Sequence, residues 1–282
     1  MGMKAKKRRN MIIFHIIVGS IAIFMFYPII WMLLSSLKPS DQVMTTAAVL
    51  IPRQWTILNY FTGWKGFGGV TFSTFFKNSL IITVLATAGA VLSSTLVAYG
   101  FARIQFKGKQ LLFLCMLTTM MLPHQVIMIP QYIIFNLFGW VNSPLPIVVP
   151  AYCAKPLFIF MIIQFIEGIP KDLDEAAKMD GCSPYSIFSR IICPLVRPAM
   201  VTCGIFEFYW KWDDYMGSLL YLNSPDKYTV SIALKNFTDP MSSSDYGAMF
   251  AMCVLSLLPI IVIFLLLQKY IVEGVASTGI KG

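Results

Sequence analysis

The sequence predicts an all-α, polytopic membrane protein with six transmembrane helices and a cytosolic helix-turn-helix between the fourth and fifth of them. Of its 282 residues, 57% are hydrophobic and only 12% are charged, and the mean hydropathy is +0.71, so the chain has too few charges for a soluble domain. Several apolar runs approach the roughly 20 residues that a helix needs to cross a bilayer. A polar, acid-rich stretch within residues 167–195 separates two of these runs and predicts a structured loop.

The six predicted spans share an apolar composition and a length suited to a helical crossing. They are residues 11–34, 79–99, 111–130, 145–166, 196–220 and 248–268. The fourth is broken early by Lys155-Pro156, and the fifth carries charged residues, so both depart from a regular apolar helix. Since neither an internal repeat nor a domain boundary is evident, residues 1–282 are predicted to form a single membrane domain.

The basic residues predict the orientation. Placing the N-terminus, residues 100–110, residues 167–198 and the tail in the cytosol puts 14 of the 22 lysines and arginines there, against six on the other side. Both termini are therefore expected in the cytosol. The first apolar run exceeds the 7–15 residues of a signal peptide, which indicates an uncleaved first span. The net charge of +9 then reflects topology, and no nucleic-acid partner is expected.

The polar loop has the local signals of two short helices. Residues 172–179, DLDEAAKM, begin with acids that favour the positive end of a helix dipole. Gly181 can adopt the left-handed conformation that ends a helix. Ser183 and Pro184 supply an N-cap and a first-turn proline for a second helix, which Pro194 is expected to end. The loop is therefore predicted to be a helix-turn-helix at the membrane surface.

This loop resembles the EAA loop of the membrane subunits of bacterial ABC importers. In that family the loop docks into a cleft on the ATPase subunit and carries its motion into the spans. The resemblance implies that the ATPase-coupling positions of this chain are Glu175, Ala176, Ala177, Gly181, Ile191 and Pro194. Cys193 departs from the leucine usual in the family. The alternative is a surface hairpin with no partner.

A second resemblance concerns the stretch FEFYWKWDDYMGSLLYL, which is similar to a WND-containing segment of the sugar and oligosaccharide branch of these permeases, although the later proline of that segment is missing. Aromatic faces and carboxylates are the groups that recognise sugars. The candidate substrate pathway therefore comprises Tyr209, Trp210, Trp212, Asp213, Asp214 and Tyr215. Alternatively, Glu207, Lys211 and Asp214 share one helical face and neutralise one another. Lys155 either meets an acidic sugar or extends to the membrane surface.

Two further segments support the same family. Residues 54–60 resemble a P-x-x-x-T-x-x-N-Y stretch of carbohydrate-type permeases, and this outer segment either contacts a delivering protein or packs on the bundle rim. The C-terminus is similar to that branch's glycine-rich ending. Within the tail, residues 271–282, the glycine-rich residues 273–282 are predicted to be too flexible to fold alone. The resemblance implies that this tail inserts between two ATPase subunits through Gly279, Ile280, Lys281 and Gly282. The alternative is a disordered tail.

The resemblance implies a transmembrane permease subunit of an ATP-driven importer in a bacterial inner membrane, carrying a sugar or oligosaccharide. Its expected partners are an ABC ATPase dimer, a second homologous permease and an extracytoplasmic solute-binding protein. The sequence contains no GxxxxGK[ST] phosphate loop, so ATP and Mg²⁺ are expected on the ATPase, with no cofactor on this chain and no enzymatic activity.

Three rival functions remain open at this stage. A permease of the same class would carry a non-sugar solute such as a polyol phosphate. An ion-coupled secondary carrier would need inverted repeats, which are not evident. A metal-dependent membrane enzyme would use Asp172, Asp174, Glu175 and Asp180. The six cysteines show no CxxC pairing and the two histidines are isolated, so neither a metal site nor a disulfide framework is predicted.

Overall fold

The computed structural model describes residues 3–237 and 245–279, with side chains for residues 10–237 and 245–270. The predicted all-α fold is confirmed: the described residues form helices and no strand, with one isolated β-bridge between Phe67 and Val70. They divide into two compact units, the first within residues 1–66 and 234–257 and the second within residues 67–233 and 258–282.

The α-helices are numbered along the described chain. They are α1 (Met3–Ser35), α2 (Ser40–Thr45), α3 (Leu58–Lys65), α4 (Phe72–Arg103), α5 (Lys109–Thr119), α6 (His124–Leu137), α7 (Leu145–Val148), α8 (Pro156–Glu167), α9 (Asp172–Met179), α10 (Pro184–Ile187), α11 (Cys193–Leu195), α12 (Arg197–Trp212), α13 (Tyr215–Tyr221), α14 (Val230–Asn236) and α15 (Tyr246–Gly279). Val149–Cys153 and Pro225–Lys227 are 3₁₀ turns, and Phe188–Ile192 is a π turn.

In the first unit, the segment after α1 is held by a buried amide. Asn59 Nδ2 donates 2.7 Å hydrogen bonds to the carbonyl oxygens of Ser36 and Lys38, and the Tyr60 hydroxyl lies 2.9 Å from Ser36 Oγ. These bonds satisfy two backbone carbonyls of the turn that follows α1. Within the resembling stretch 54–60, Asn59 and Tyr60 therefore fasten α3 to the end of α1. Contact of this segment with a delivering protein stays a prediction.

In the second unit, α4 is the central helix and packs against α8 and α12. The contact is lined by small side chains on α4, including Ala86 and Ala90, which face Phe158 and Ile162 of α8 in one buried cluster. Small residues let helix backbones approach closely within a bundle. Gly89 is the tightest of these positions, because a Cβ there would lie 2.5 Å from the Tyr152 ring.

Four helical segments of the described chain are long and apolar enough to cross a membrane. They are Asn10–Ser35, Phe72–Arg103, Leu145–Glu167 and Tyr246–Tyr270. Two bent pairs, Lys109–Thr119 with His124–Leu137 and Pro184–Leu195 with Arg197–Trp212, raise the number to six if each pair is one span. Membrane crossing by six spans stays a prediction.

The predicted third span, 111–130, is not one straight helix. It runs across a 99° bend between α5 and α6. Pro123 lies at this bend, where it cannot donate a backbone hydrogen bond and disfavours helical geometry in the residue before it.

The predicted fifth span, 196–220, is also interrupted. α12 ends at Trp212, and the Asp214 carboxylate then accepts a 2.8 Å hydrogen bond from Gly217 N, which caps the separate helix α13. A new helix therefore follows Asp214, and the single continuous span predicted from the sequence is wrong here.

The tail segment predicted to be flexible from residue 273 is helical as far as Gly279, where α15 ends. This segment continues the apolar helix before it and contains good helix formers such as alanine and glutamate, which outweigh one internal glycine. Residues 280–282 lie outside the described part of the chain.

Candidate functional site

The polar loop forms the predicted helical hairpin. Its first helix, α9, carries its acids in the first turn, and Gly181 follows with a φ of 78° in the left-handed region. Ser183 caps α10, its hydroxyl accepting a 3.2 Å hydrogen bond from Ser186 N. These contacts are all local, so the hairpin is specified by its own residues.

Arg103, the last residue of α4, ties the hairpin to the central helix of the second unit. Its Nε lies 2.8 Å from Asp174 Oδ2, and its guanidinium also donates a 2.7 Å hydrogen bond to the Ile169 carbonyl. The two charged side chains are only 5% and 9% exposed. One turn earlier on α4, the Tyr99 hydroxyl donates to the Pro184 carbonyl at 3.1 Å. Both helices of the hairpin are therefore fastened to α4.

The predicted coupling residues fall on two sides of this hairpin. Glu175, Ala176, Gly181 and Pro194 are exposed, Ile191 is half-buried, and Ala177 packs into the buried cluster with α4 and α8. The exposed side also presents Met179 and Tyr185, at 88% and 75% exposure. The hairpin thus turns its motif residues and two large side chains away from its own core.

The prediction that Pro194 ends the second helix is corrected by the structure. The helical run passes from α10 through the π turn Phe188–Ile192 into α11, and it bends by 73° only at the junction with α12. Proline lacks a backbone donor, and the π turn before it widens the hydrogen-bonded repeat, so the chain continues past Pro194.

A second site lies where the helix between residues 145 and 167 is broken. The break predicted at Lys155-Pro156 is present: Ala154 has a φ of 62° and Lys155 is extended. Two serines of α4 satisfy the freed backbone amides, Ser93 Oγ accepting from Ala154 N at 3.1 Å and Ser94 Oγ from Lys155 N at 2.9 Å. Non-helical backbone within a membrane protein is tolerated where protein groups pair it or where it lines a cavity.

Lys155 forms an ion pair across the helices at this break. Its Nζ lies 2.5 Å from Glu207 Oε2 of α12, and the ring centroids of Phe158 and Trp210 are 5.7 Å and 5.9 Å away. Glu207 is fully buried, whereas the Lys155 side chain is 32% exposed. The lysine therefore neither extends freely to a surface nor remains an unpaired cation.

The exposed part of Lys155 lines a cavity of about 180 Å³. Its polar lining consists of His124, Gln131, Lys155, Lys211, Asp214 and Tyr221. Lys211 Nζ and Asp214 Oδ2 are 3.4 Å apart, so these two groups pair as their spacing on one face predicted, while Glu207 pairs with Lys155 of another helix.

Of the six residues in the predicted substrate pathway, only Asp214 lines this cavity. Trp212 is buried and packs against Phe208, while Trp210 stacks on Phe158 at 5.8 Å. The other three, Tyr209, Asp213 and Tyr215, lie outside the cavity lining.

Most cavity residues were missed from the sequence. His124 and Gln131 come from segments with no motif. Tyr221 lies in the WND-like stretch without having been assigned to the pathway, whereas Lys155, Lys211 and Asp214 carried a signal in the sequence. For the predicted tail contacts, Gly279 is the last residue of α15, and Ile280, Lys281 and Gly282 lie outside the described residues.

The acids proposed for a metal-dependent enzyme do not converge. Asp174 is engaged by Arg103, and the part of the chain that the structure describes has no group of three or more His, Cys, Asp or Glu residues able to hold a metal ion.

An all-helical fold with several helices long enough to cross a membrane, a broken helix beside a polar cavity and a polar helical hairpin are features expected of the membrane component of a transporter. Residues 90–277 match the family described as "Binding-protein-dependent transport system inner membrane component", and the chain belongs to this family. It is therefore an inner-membrane permease subunit of an ABC importer and not an enzyme.

Named relatives agree over nearly the whole chain. It is 34% identical to the probable ABC transporter permease protein YurM of Bacillus subtilis, covering 99% of this chain and 93% of that one. It is 31% identical to the arabinooligosaccharides transport system permease protein AraQ of the same species, with 93% and 92% coverage. The fold matches a chain in the crystal structure of a bacterial importer of the acidic polysaccharide alginate, with a TM-score of 0.82, 21% identity and coverage of 94% and 97%.

Proposed function

We propose that this permease imports a sugar or oligosaccharide, which an extracytoplasmic binding protein delivers to it and a second, homologous permease. A dimer of ABC ATPases, which holds the ATP and Mg²⁺, supplies the energy. Support for the solute class comes from the 31% identical relative named for arabinooligosaccharides and from the sugar-branch motifs of the sequence. The chain crosses the membrane six times in this proposal, with both termini in the cytosol.

The helical hairpin supports the part of the proposal in which the ATPases drive the permease. Its motif residues Glu175 and Gly181 are exposed, while Arg103 and Tyr99 fasten its other side to α4. A partner that pushes the exposed side would therefore move α4 with it. Nucleotide binding to the ATPases then biases the permease between outward-facing and inward-facing states.

The proposal also gives the C-terminal tail a contact with the ATPase subunits. α15 carries the chain to Gly279 as a helix, and residues 279–282 reach between the two ATPase subunits. Deletion of residues 277–282 should then lower transport-coupled ATPase activity, and intact coupling after the deletion would overturn this contact.

Affinity purification of the tagged chain from its native membranes tests the hairpin. The ATPase and a second permease should co-purify with the wild-type chain, and Glu175→Ala/Gly181→Leu should lose the ATPase while keeping the second permease. The matched control is Asp226→Ala/Gly139→Leu, which also removes an exposed acid and a glycine of positive φ, 68°, from two segments outside the hairpin. Equal ATPase recovery from the two double variants would contradict the coupling role.

The solute class is tested by uptake. Cells that express the complete importer should accumulate a labelled neutral oligosaccharide in an ATP-dependent manner after the ion gradients are collapsed. Uptake that disappears with the gradients would indicate an ion-coupled carrier, and ATP-dependent uptake of a polyol phosphate alone would change the solute class.

A further inference from the structure

We infer that the cavity beside the broken span is a binding site for one unit of an uncharged, polyhydroxylated solute, with Asp214 and Gln131 as contact residues. This inference rests on the proposed sugar import and names the charge class of the sugar.

The charges at the cavity cancel. Two lysines, Lys155 and Lys211, face it, and each has a carboxylate partner, Glu207 at 2.5 Å and Asp214 at 3.4 Å. The two lysines and their two carboxylate partners therefore carry no net charge together. Carboxylates and phosphates are held most strongly by charge-assisted hydrogen bonds from cations that are free to pair with them. An anionic solute here would instead have to displace an acid from its lysine.

The groups that remain free can both donate and accept hydrogen bonds. The side-chain amide of Gln131 and the ring of His124 make no hydrogen bond to the described residues, and both line the cavity. A sugar hydroxyl is itself a donor and an acceptor, so an amide, an imidazole and a carboxylate beside an ammonium complement several hydroxyls at once. Tyr221 adds an aromatic ring to the same lining, as sugar sites commonly have.

The size of the cavity sets how much solute it takes. Its volume, about 180 Å³, is below the roughly 300–1,000 Å³ of pockets that enclose drug-sized ligands. One sugar unit is the largest part of an oligosaccharide suited to it, and the remaining units must lie along the rest of the pathway.

The test is isothermal titration calorimetry on the purified importer in lipid nanodiscs, without the binding protein, so that delivery does not influence selectivity. The probes are arabinotriose, which is neutral, and trigalacturonic acid, which is anionic. Wild type should bind arabinotriose at least tenfold more tightly than trigalacturonic acid. Gln131→Leu should weaken arabinotriose binding by about two- to tenfold, the effect of losing one neutral hydrogen bond. Asp214→Asn should weaken it by about tenfold, because it replaces a charged acceptor with a neutral one.

Asp214→Asn should also improve binding of the acidic probe, because it leaves Lys211 unopposed. This variant should still fold, because asparagine caps the N-terminus of a helix as well as aspartate does and so can replace Asp214 at the start of α13. The control, Asp226→Asn, removes an exposed acid away from the cavity and should bind like wild type.

Three results would overturn the inference: equal affinity of the wild type for the two probes, binding of neither probe, or Asp214→Asn and Gln131→Leu behaving like the control. The uptake experiment separates this failure from that of the proposed function. ATP-dependent sugar uptake without the expected binding pattern would reject only the cavity site, whereas absence of ATP-dependent sugar uptake would reject the proposed function itself.

Discussion

Two ion pairs of the second unit use the same chemistry with different exposure. Arg103 and Asp174, which join α4 to the hairpin, are 5% and 9% exposed. In the pair between Lys155 and Glu207, the acid is fully buried but the lysine is 32% exposed at the cavity wall. A pair shielded at both ends fixes two elements together, whereas a pair open at one end keeps a charged group within reach of a solute. The difference in exposure therefore distinguishes a pair that joins two elements, Arg103 and Asp174, from a pair whose lysine is accessible from the cavity, Lys155 and Glu207.

The largest effect is expected from Arg103→Leu, which leaves the buried Asp174 carboxylate without its cation. Loss of one partner of a buried pair costs about 3–5 kcal/mol. We expect a large fall in the thermal unfolding midpoint of the solubilised protein, measured by differential scanning fluorimetry, together with loss of ATP-dependent uptake.

The double variant Arg103→Met/Asp174→Leu is the control for this prediction. It removes both charges, so it should recover much of the stability. If it still failed to couple ATP hydrolysis to uptake, the pair would be shown to transmit motion from the hairpin as well as to stabilise the fold. A single variant as stable as wild type would contradict the shielded nature of the pair.

A smaller effect is expected from Lys155→Met. The change strands the buried Glu207 carboxylate, but the exposed third of the lysine side chain makes its loss less costly than in a fully shielded pair, about 2–3 kcal/mol. Unfolding midpoints of Lys155→Met and Arg103→Leu, compared in the same detergent, check the ranking. A greater loss for Lys155→Met would reverse the distinction drawn between the two pairs.

The smallest effect is expected in the turn of the hairpin. Gly181→Ala introduces a side chain at a φ of 78°, which costs about 1–2 kcal/mol. Gly100→Ala is the matched control, because this helical glycine has open space around it and alanine favours a helix by up to about 1 kcal/mol. The two variants should shift the unfolding midpoint in opposite directions, and shifts of the same sign would contradict the left-handed turn.

The hairpin could be predicted because its determinants are adjacent in sequence. The acids of α9, the left-handed Gly181 and the capping Ser183 act within a few residues of one another, and each leaves a local signal. The exception was Pro194, where the general rule that proline ends a helix did not allow for a π turn.

The cavity could not be predicted in the same way. Lys155 and Glu207 are 52 residues apart, and their pairing depends on how α8 and α12 pack on α4. From the sequence, Glu207 could equally well form an ion pair with Lys211, because the two are at positions i and i+4 of the same helix. The sequence places aromatic residues such as Trp212 in the pathway through their resemblance to a sugar-branch segment, but a buried aromatic side chain most often serves packing.

The serines that pair with the broken backbone have a further consequence. Because Ser93 and Ser94 already hold the amides of Ala154 and Lys155, the irregular segment is ordered by α4 itself. A solute that binds there does not have to freeze a mobile loop, so little of its interaction energy is lost as conformational entropy. Such a preorganised segment would suit the inferred recognition of weakly interacting hydroxyl groups.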